Sequence, residues 1–327
     1  MTPAPTIPTL RRALVLGAAA FALSHSALAQ SDKVVKFILP NATGSGVDTI
    51  TRTAQAALAK ALGHPVVVEN QAGAGGIVGL QAMARAPADG FTLSVVSNNV
   101  VILPSVYKKL PFEMPGDFTP IAVIGSTPLV LVVNPNKVPA QNAREFAALM
   151  KSKPGQMSYA SGGNGTILHL AAEMYVDEIG AQALHVPYKG VGPMLADLIG
   201  GQVDWATAAL PSVQQHLKSG ALRAIGVSSA ARTPAAPEIP TFVEQGLPGY
   251  LVDAWFGVLG PKGMTAADVK RVHTALVAAF ADPAVKEAMA KQGNVIDISS
   301  SEFAQGYFKS ELAKYAKLVK KAGIELQ

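Results

Sequence analysis

The sequence predicts an α/β protein in which mostly parallel sheets are flanked by helices. Three observations carry that expectation. Strand-like apolar runs alternate with helical periodicities along nearly the whole chain, the pattern of wound α/β layers. Two glycine-rich turns of the same kind, one in each half, each join a strand to a helix. Of the 327 residues 49% are hydrophobic, which supports a large core, and the length favours two domains.

Taken in order, the pattern predicts a strand at 34–39, then a helix at 49–62 that Gly63 ends. A strand at 65–69 precedes a helix at 75–84, and another strand follows at 91–97. The stretch 121–133 holds two short apolar runs broken at 125–128. A helix is expected at 142–151, a strand at 157–160 and a helix at 167–179. Residues 185–188 read as short and extended, 194–200 as helix, 203–208 as extended, 212–219 as helix and 222–227 as strand. After 254–259, amphipathic helices close the chain at 266–281 and 301–322. There is no repeat of fixed period and no low-complexity linker.

Arg11 and Arg12 precede an apolar run at 13–23, and Ala27, Leu28 and Ala29 form a small-x-small cleavage site. About eleven apolar residues fall short of the roughly 20 a membrane span needs. Residues 1–29 are therefore expected to be an export signal. Leu10 stands where a twin-arginine signal usually has Ser or Thr, which favours ordinary secretion. Cleavage leaves 298 residues and removes two arginines and no acid, so the net charge of +5 falls to +3. That balance, without a long basic run, gives no reason to expect nucleic acid. Cysteine is absent, which removes disulfides, thiolate metal sites and a lipidated cysteine. The expected product is a soluble, unanchored periplasmic protein, a monomer.

The two turns are the main functional signal. Residues 40–48 (PNATGSGVD) and 159–166 (YASGGNGT) each follow a strand and precede a helix. Such a turn aims unpaired backbone N–H groups and the positive end of a helix dipole at one point, which suits an anion. Glycine lets a ligand approach the backbone closely. Two such turns imply two anion-gripping jaws.

Several ordered stretches then bring a family into view: 66–70 (VVVEN), 72–76 (AGAGG), 88–93 (ADGFTL), 107–111 (YKKLP), 117–120 (DFTP), 161–166 (SGGNGT) with His169 and Leu170, 186–190 (VPYKG), 200–204 (GGQVD), 220–224 (GALRA) and 254–257 (AWFG). Through these the chain resembles the substrate-binding proteins of tripartite tricarboxylate transporters, the Bug family. The resemblance implies a two-lobed clamshell that closes on a small carboxylate and delivers it to a membrane permease. It places lobe 1 at 30–133 and 253–327 and lobe 2 at 134–252, with crossovers near 130–135 and 253–260 acting as hinges.

In the first turn the family usually carries two adjacent glycines, then a hydroxyl residue before Asp. Here Ser45 replaces the second glycine, Gly46 follows, and Val47 stands where a hydroxyl is common. Thr43, Gly44, Ser45, Gly46 and Asp48 are the candidates there, with Asp48 read chiefly as a helix cap. In the second turn Ser161, Gly162, Asn164, Gly165 and Thr166 are the candidates, and Asn164 or Thr166 is the expected N-cap. Ser97, Asn98 and Asn99 follow a strand at a position where ligands collect in parallel sheets, with Ser97 and Asn98 the leading candidates. Tyr188 with Lys189, and Ala208 within an apolar stretch where relatives often carry Asp-Asn, complete the set. Trp255 is expected to pack in the crossover.

Other chemistries find little support. Residues 73–79 resemble a dinucleotide turn, but no acidic residue ends the next strand to hold a ribose, so no cofactor is expected. No Gly-x-Ser-x-Gly motif exists, and Ser161 and His169 sit on one turn-and-helix unit. His64, His169, His185, His216 and His273 show no metal-binding spacing, so no metal is expected. The expected function is a periplasmic carrier of a small organic carboxylate. The alternatives are a periplasmic enzyme acting on a carboxylate ester or amide, and a ligand sensor for a receptor. An amino-acid ligand would need a partner for its ammonium, and Asp48 is the nearest candidate.

Overall fold

A computed structural model describes residues 33–324, 326 and 327; the expected export signal lies outside these. Among the described residues the strands are β1 (Val35–Leu39), β2 (Val66–Asn70), β3 (Thr92–Ser97), β4 (Phe118–Val133), β5 (Ser158–Ser161), β6 (Leu184–Pro187), β7 (Trp205–Ala209), β8 (Arg223–Val227), β9 (Asp253–Pro261) and β10 (Val295–Ile296). The helices are α1 (Gly46–Leu62), α2 (Ile77–Ala84), α3 (Asn99–Val106), α4 (Ala143–Ser152), α5 (Ile167–Ile179), α6 (Val191–Ile199), α7 (Leu210–Lys218), α8 (Ala266–Ala281), α9 (Pro283–Lys291) and α10 (Ser301–Lys321). No helix among them is long and apolar enough to cross a membrane.

The strand order is β2-β1-β3-β9-β4-β7-β5-β6, with β8 and β10 also paired to β4. The sheet is parallel toward both ends, where β1 joins β2 and β3 and β5 joins β6 and β7. It is antiparallel in the middle, where β9 pairs with β3 and β4. β4 changes partners along its length. Its first part pairs with β9 as far as Pro128, and its last residues pair with β7 and β8.

The break expected at 125–128 is therefore absent: β4 runs straight through its Gly-Ser-Thr-Pro stretch. Gly125 sits at a register shift against β9 with φ 149°. A Cβ there would lie 2.0 Å from the carbonyl oxygen of Val295, so only glycine lets β10 dock. Pro128 lacks an N–H, but it stands where the β9 pairing ends, a tolerated place for proline.

Local chemistry explains the helix starts. Asp48 N–H donates to Ser45 Oγ at 3.2 Å and caps α1, and Gly63 closes that helix in the left-handed region. The buried face of α1, Val47, Ile50, Ala54, Leu58 and Leu62, keeps helical spacing. Two helices were missed by periodicity. α3 buries every residue except Pro104 and Ser105, so it has no polar face to mark it. α9 follows directly on α8, with Asp282 as its cap and Pro283 at its first turn. One apolar cluster lies around β1, α1 and α8, and a second extends from α3 and α10 to β5, β7 and α5.

Candidate ligand-binding site

Six helices begin on the wall of one cavity of about 270 Å³, α3 among them through Asn99. α1 and α5 arrive through the two glycine-rich turns, α2 through residues 73–76, α6 through Gly190 and α7 through Ala209. The starts of α2, α6 and α7 carry no side-chain cap. Between them lie apolar surfaces of Val47, Leu129, Ile167, Ala254 and Phe256. Among the described residues Lys189 is the single lysine or arginine on the wall, and no carboxylate of theirs lines it.

The first turn contributes Asn41, Ala42, Ser45, Gly46 and Val47 to this wall. The N–H groups of Gly46 and Val47, first in α1, have no acceptor among the described residues. Asp48 stands behind them rather than on the wall. Its carboxylate accepts from Gly44 N–H at 3.0 Å, Arg52 Nε at 2.8 Å and Asn70 Nδ2 at 3.0 Å. It is thus engaged in bracing the turn, paired with Arg52, and lies off the wall. Gly44 and Thr43 are also off the wall: Gly44 O accepts from Ser212 Oγ at 2.9 Å, and Thr43 Oγ1 reaches Asn70.

The second turn contributes Gly162, Gly163, Asn164, Thr166, Ile167 and Leu168. The N–H groups of Gly162, Asn164 and Leu168 lack acceptors among the described residues. Thr166 caps α5, accepting from His169 N–H at 3.3 Å, while its own hydroxyl donates to Gly163 O at 2.8 Å. Ser161 and Gly165 lie behind the wall. Ser161 Oγ accepts from Gly163 N–H at 3.2 Å and bonds His185 Nε2 at 2.7 Å, and Gly165 N–H donates to His169 Nδ1 at 3.4 Å.

The two imidazoles stack at 3.9 Å with Tyr159 against His185 at 4.8 Å. Burial pushes His169 down to about 3, helped by the neighbouring His185, and pushes His185 down to about 4. Both are neutral near pH 7. Tyr159 donates to the Glu173 carboxylate, and burial raises the pKa of each. Ser161 is fully buried, so this Ser–His contact faces a packed interior and serves as a brace.

The remaining expectations divide by single-residue steps. Ser97 is on the wall; Asn98 is not, because its amide donates to Asp253 O at 3.1 Å and Tyr315 OH at 2.6 Å in the core. The next residue, Asn99, takes that place, and its Oδ1 accepts from Ile167 N–H at 2.8 Å at the start of α5. Likewise Ala208 is fully buried on the other face of β7, and Ala209 lines the cavity. Tyr188 lines it with its ring while its hydroxyl donates to Asp197 at 2.8 Å. Burial, reinforced by Asp197, pushes that phenol up to about 12.

Residues 72–76, Tyr107, Ser212 and Phe256 were missed as site residues. The stretch 72–76 has a visible signal, its glycines before a helix, but reads in the sequence as a family match and a dinucleotide-like turn rather than as a site. Three contacts close the cavity rim: Asn164 O faces Tyr107 OH at 3.5 Å, Ser212 reaches Gly44, and Ala42 meets Gly190. Gly190 has φ 117°, and a Cβ there would lie 2.4 Å from that of Ala42. Among the described residues no histidine–carboxylate group is arranged to hold a metal.

Alternating layers on a mixed sheet, with a cavity where the helices begin, define an α/β periplasmic binding protein fold. Residues 50–324 match the family described as "Tripartite tricarboxylate transporter family receptor", and the chain belongs to that family. This is a family of binding proteins, not of enzymes. The chain is 33% identical over 316 residues to "Protein BugT" of Bordetella pertussis, covering 96% of this chain and 97% of that protein. It is similar to the solved periplasmic binding protein BugD, with TM-score 0.85 and 33% identity over 90% of this chain and 99% of that one. It is also similar to R. palustris Rpa4515 with adipate, with TM-score 0.87 and 28% identity over 91% of this chain and all of that one.

Proposed function

We propose that this protein captures a small organic carboxylate without an ammonium group in the periplasm and hands it to the permease of a tripartite tricarboxylate-type transporter. One observation carries the reading: helix starts with unpaired N–H groups converge on a cavity with no carboxylate side chain. Helix N-termini stabilise negative charge without a full counter-ion. An α-amino group would find no anionic partner on the wall, because Asp48 lies behind it and is paired with Arg52. The apolar wall between the turns suits a hydrocarbon spacer, as in the adipate carried by the R. palustris relative.

In this reading residues 30–133 with 253–327 form one lobe and 134–252 the other, and the ligand bridges the two turns. The rim contacts are then the closed state's own latch. A closed form that the ligand stabilises can be distinguished by the permease from the empty protein.

The test is a thermal-shift and calorimetric screen of mature protein against four- to six-carbon dicarboxylates, aromatic carboxylates, their amides and their α-amino analogues. A carboxylate present at a hundred times its Kd adds about 2.7 kcal/mol. The reading expects such a response from an unsubstituted acid, abolished in the amide and at least tenfold weaker in the amino analogue. Equal binding of amide or amino acid would sink it.

A further inference from the structure

We propose that a second cavity, on the opposite face of the crossing strand β9, is a binding site for an organic cation with an alkylated or planar head group. This inference stands independently of the carboxylate reading. The cavity measures about 460 Å³ and is bordered by Asp253, Trp255, Asp297, Phe303 and Tyr307. Along β9 the residues alternate: Ala254 and Phe256 face the first cavity, Asp253 and Trp255 the second.

Three features point to cation chemistry. The first is an aromatic corner. Phe303 and Tyr307 stack at 5.5 Å with 20° between planes, and Trp255 meets Tyr307 edge-on at 5.4 Å and 72°. Phe303 remains 56% exposed, an unusual position for a phenylalanine whose ring is already stacked. The second is charge. The Asp253 and Asp297 carboxylates are exposed and make no side-chain hydrogen bond or ion pair among the described residues, and no lysine or arginine borders the cavity. The third is rigidity. Trp255 is 3% exposed and its indole Nε1 donates to buried Glu311 at 2.8 Å, which fixes the ring.

Aromatic faces attract cations through their quadrupole, and weakly hydrated cations lose least on leaving water. Carboxylates beside such faces add direct attraction. A metal ion would find too few converging oxygens, whereas an alkylammonium or guanidinium group matches both the rings and the charges.

The two tryptophans of the chain supply the experiment. Tetramethylammonium chloride is titrated into isotopically labelled protein while the two indole N–H signals are followed by NMR, against sodium chloride at matched ionic strength. Trp205, fully buried in another part of the core, is the internal reference. The proposal expects a saturable shift of the Trp255 signal alone, with affinity at least tenfold weaker in the Asp253→Asn/Asp297→Asn double variant and in Phe303→Ala. All three substitutions are at exposed positions, so the fold should survive them. A response matched by sodium chloride, shared equally by Trp205, or unaltered in the double variant overturns it.

Discussion

The two glycine-rich turns present the same chemistry to the cavity but are held up differently. Behind the turn into α1 stands a charged brace, Asp48 with Arg52 and Asn70, of which Arg52 reaches solvent. Behind the turn into α5 stands a largely buried brace of Ser161, the stacked, uncharged His185 and His169, and Tyr159 bonded to Glu173. Both leave backbone N–H groups unpaired toward the ligand side. One surface chemistry can thus rest on a carboxylate that must stay charged or on imidazoles that must stay uncharged. The two jaws should therefore fail under different perturbations.

The largest difference should come from removing each brace. Asp48 is 4% exposed, and its carboxylate accepts three hydrogen bonds, one from Arg52 in its own helix and two from Gly44 and Asn70 outside it. Asp48→Ala strands the Gly44 N–H and removes one of the two acceptors of the Asn70 amide, while Arg52 can turn to water. A loss of about 2–3 kcal/mol in urea unfolding is expected. Ser161→Ala strands only His185 Nε2 and Gly163 N–H, and about 1–2 kcal/mol is expected. Reversal of that order would show that the imidazole stack, not the carboxylate, is the main support of the site.

A second contrast is pH. His169 and His185 have folded pKa values pushed below the ordinary 6.5, to about 3 and about 4. Groups lowered in this way leave the unfolded state with more bound protons, so stability rises with pH. Their contribution is full above about pH 6.5 and is lost as pH falls toward 4. Glu173, raised chiefly by burial, acts in the opposite sense and loses its contribution as pH rises through its folded value. The melting temperature should fall between pH 6.5 and 4, and His185→Gln should flatten that fall. An unchanged slope in the variant would place the acid sensitivity elsewhere.

The sequence made this contrast only half visible. Both turns are legible, because a strand, a glycine cluster and an amphipathic helix are local features. Their supports are not. Arg52 and Asn70 come to Asp48 from four and twenty-two residues away, and His185 reaches Ser161 from the neighbouring strand β6. The same limit explains the one-residue errors at Asn98 and Ala208. An apolar run shows where a strand lies, but the face each residue takes depends on pairing partners distant in the chain. β4 shows the reverse case. Its Gly-Ser-Thr-Pro stretch reads locally as a turn, and tertiary pairing with β9 and β10 overrides it.

The smallest expected effect concerns the two N-caps, and it tests whether the turns are equivalent at their most local level. Ser45 Oγ accepts one hydrogen bond, from Asp48 N–H at 3.2 Å. Thr166 Oγ1 accepts from His169 N–H at 3.3 Å and also donates to Gly163 O at 2.8 Å, tying the helix start to the turn that precedes it. Replacing either by alanine removes a cap worth about 1 kcal/mol. Ser45→Ala should cost about that and leave the glycine backbone of its turn in place, because Gly44 N–H is still held by Asp48. Thr166→Ala should cost somewhat more and also frees Gly163, beside the unpaired N–H groups of Gly162 and Asn164. Serine at 166 keeps both bonds and should restore stability and carboxylate affinity together. If Thr166→Ala lowers stability yet leaves affinity at the wild-type value, the second turn is positioned by the imidazole brace alone, and the cap serves only its helix.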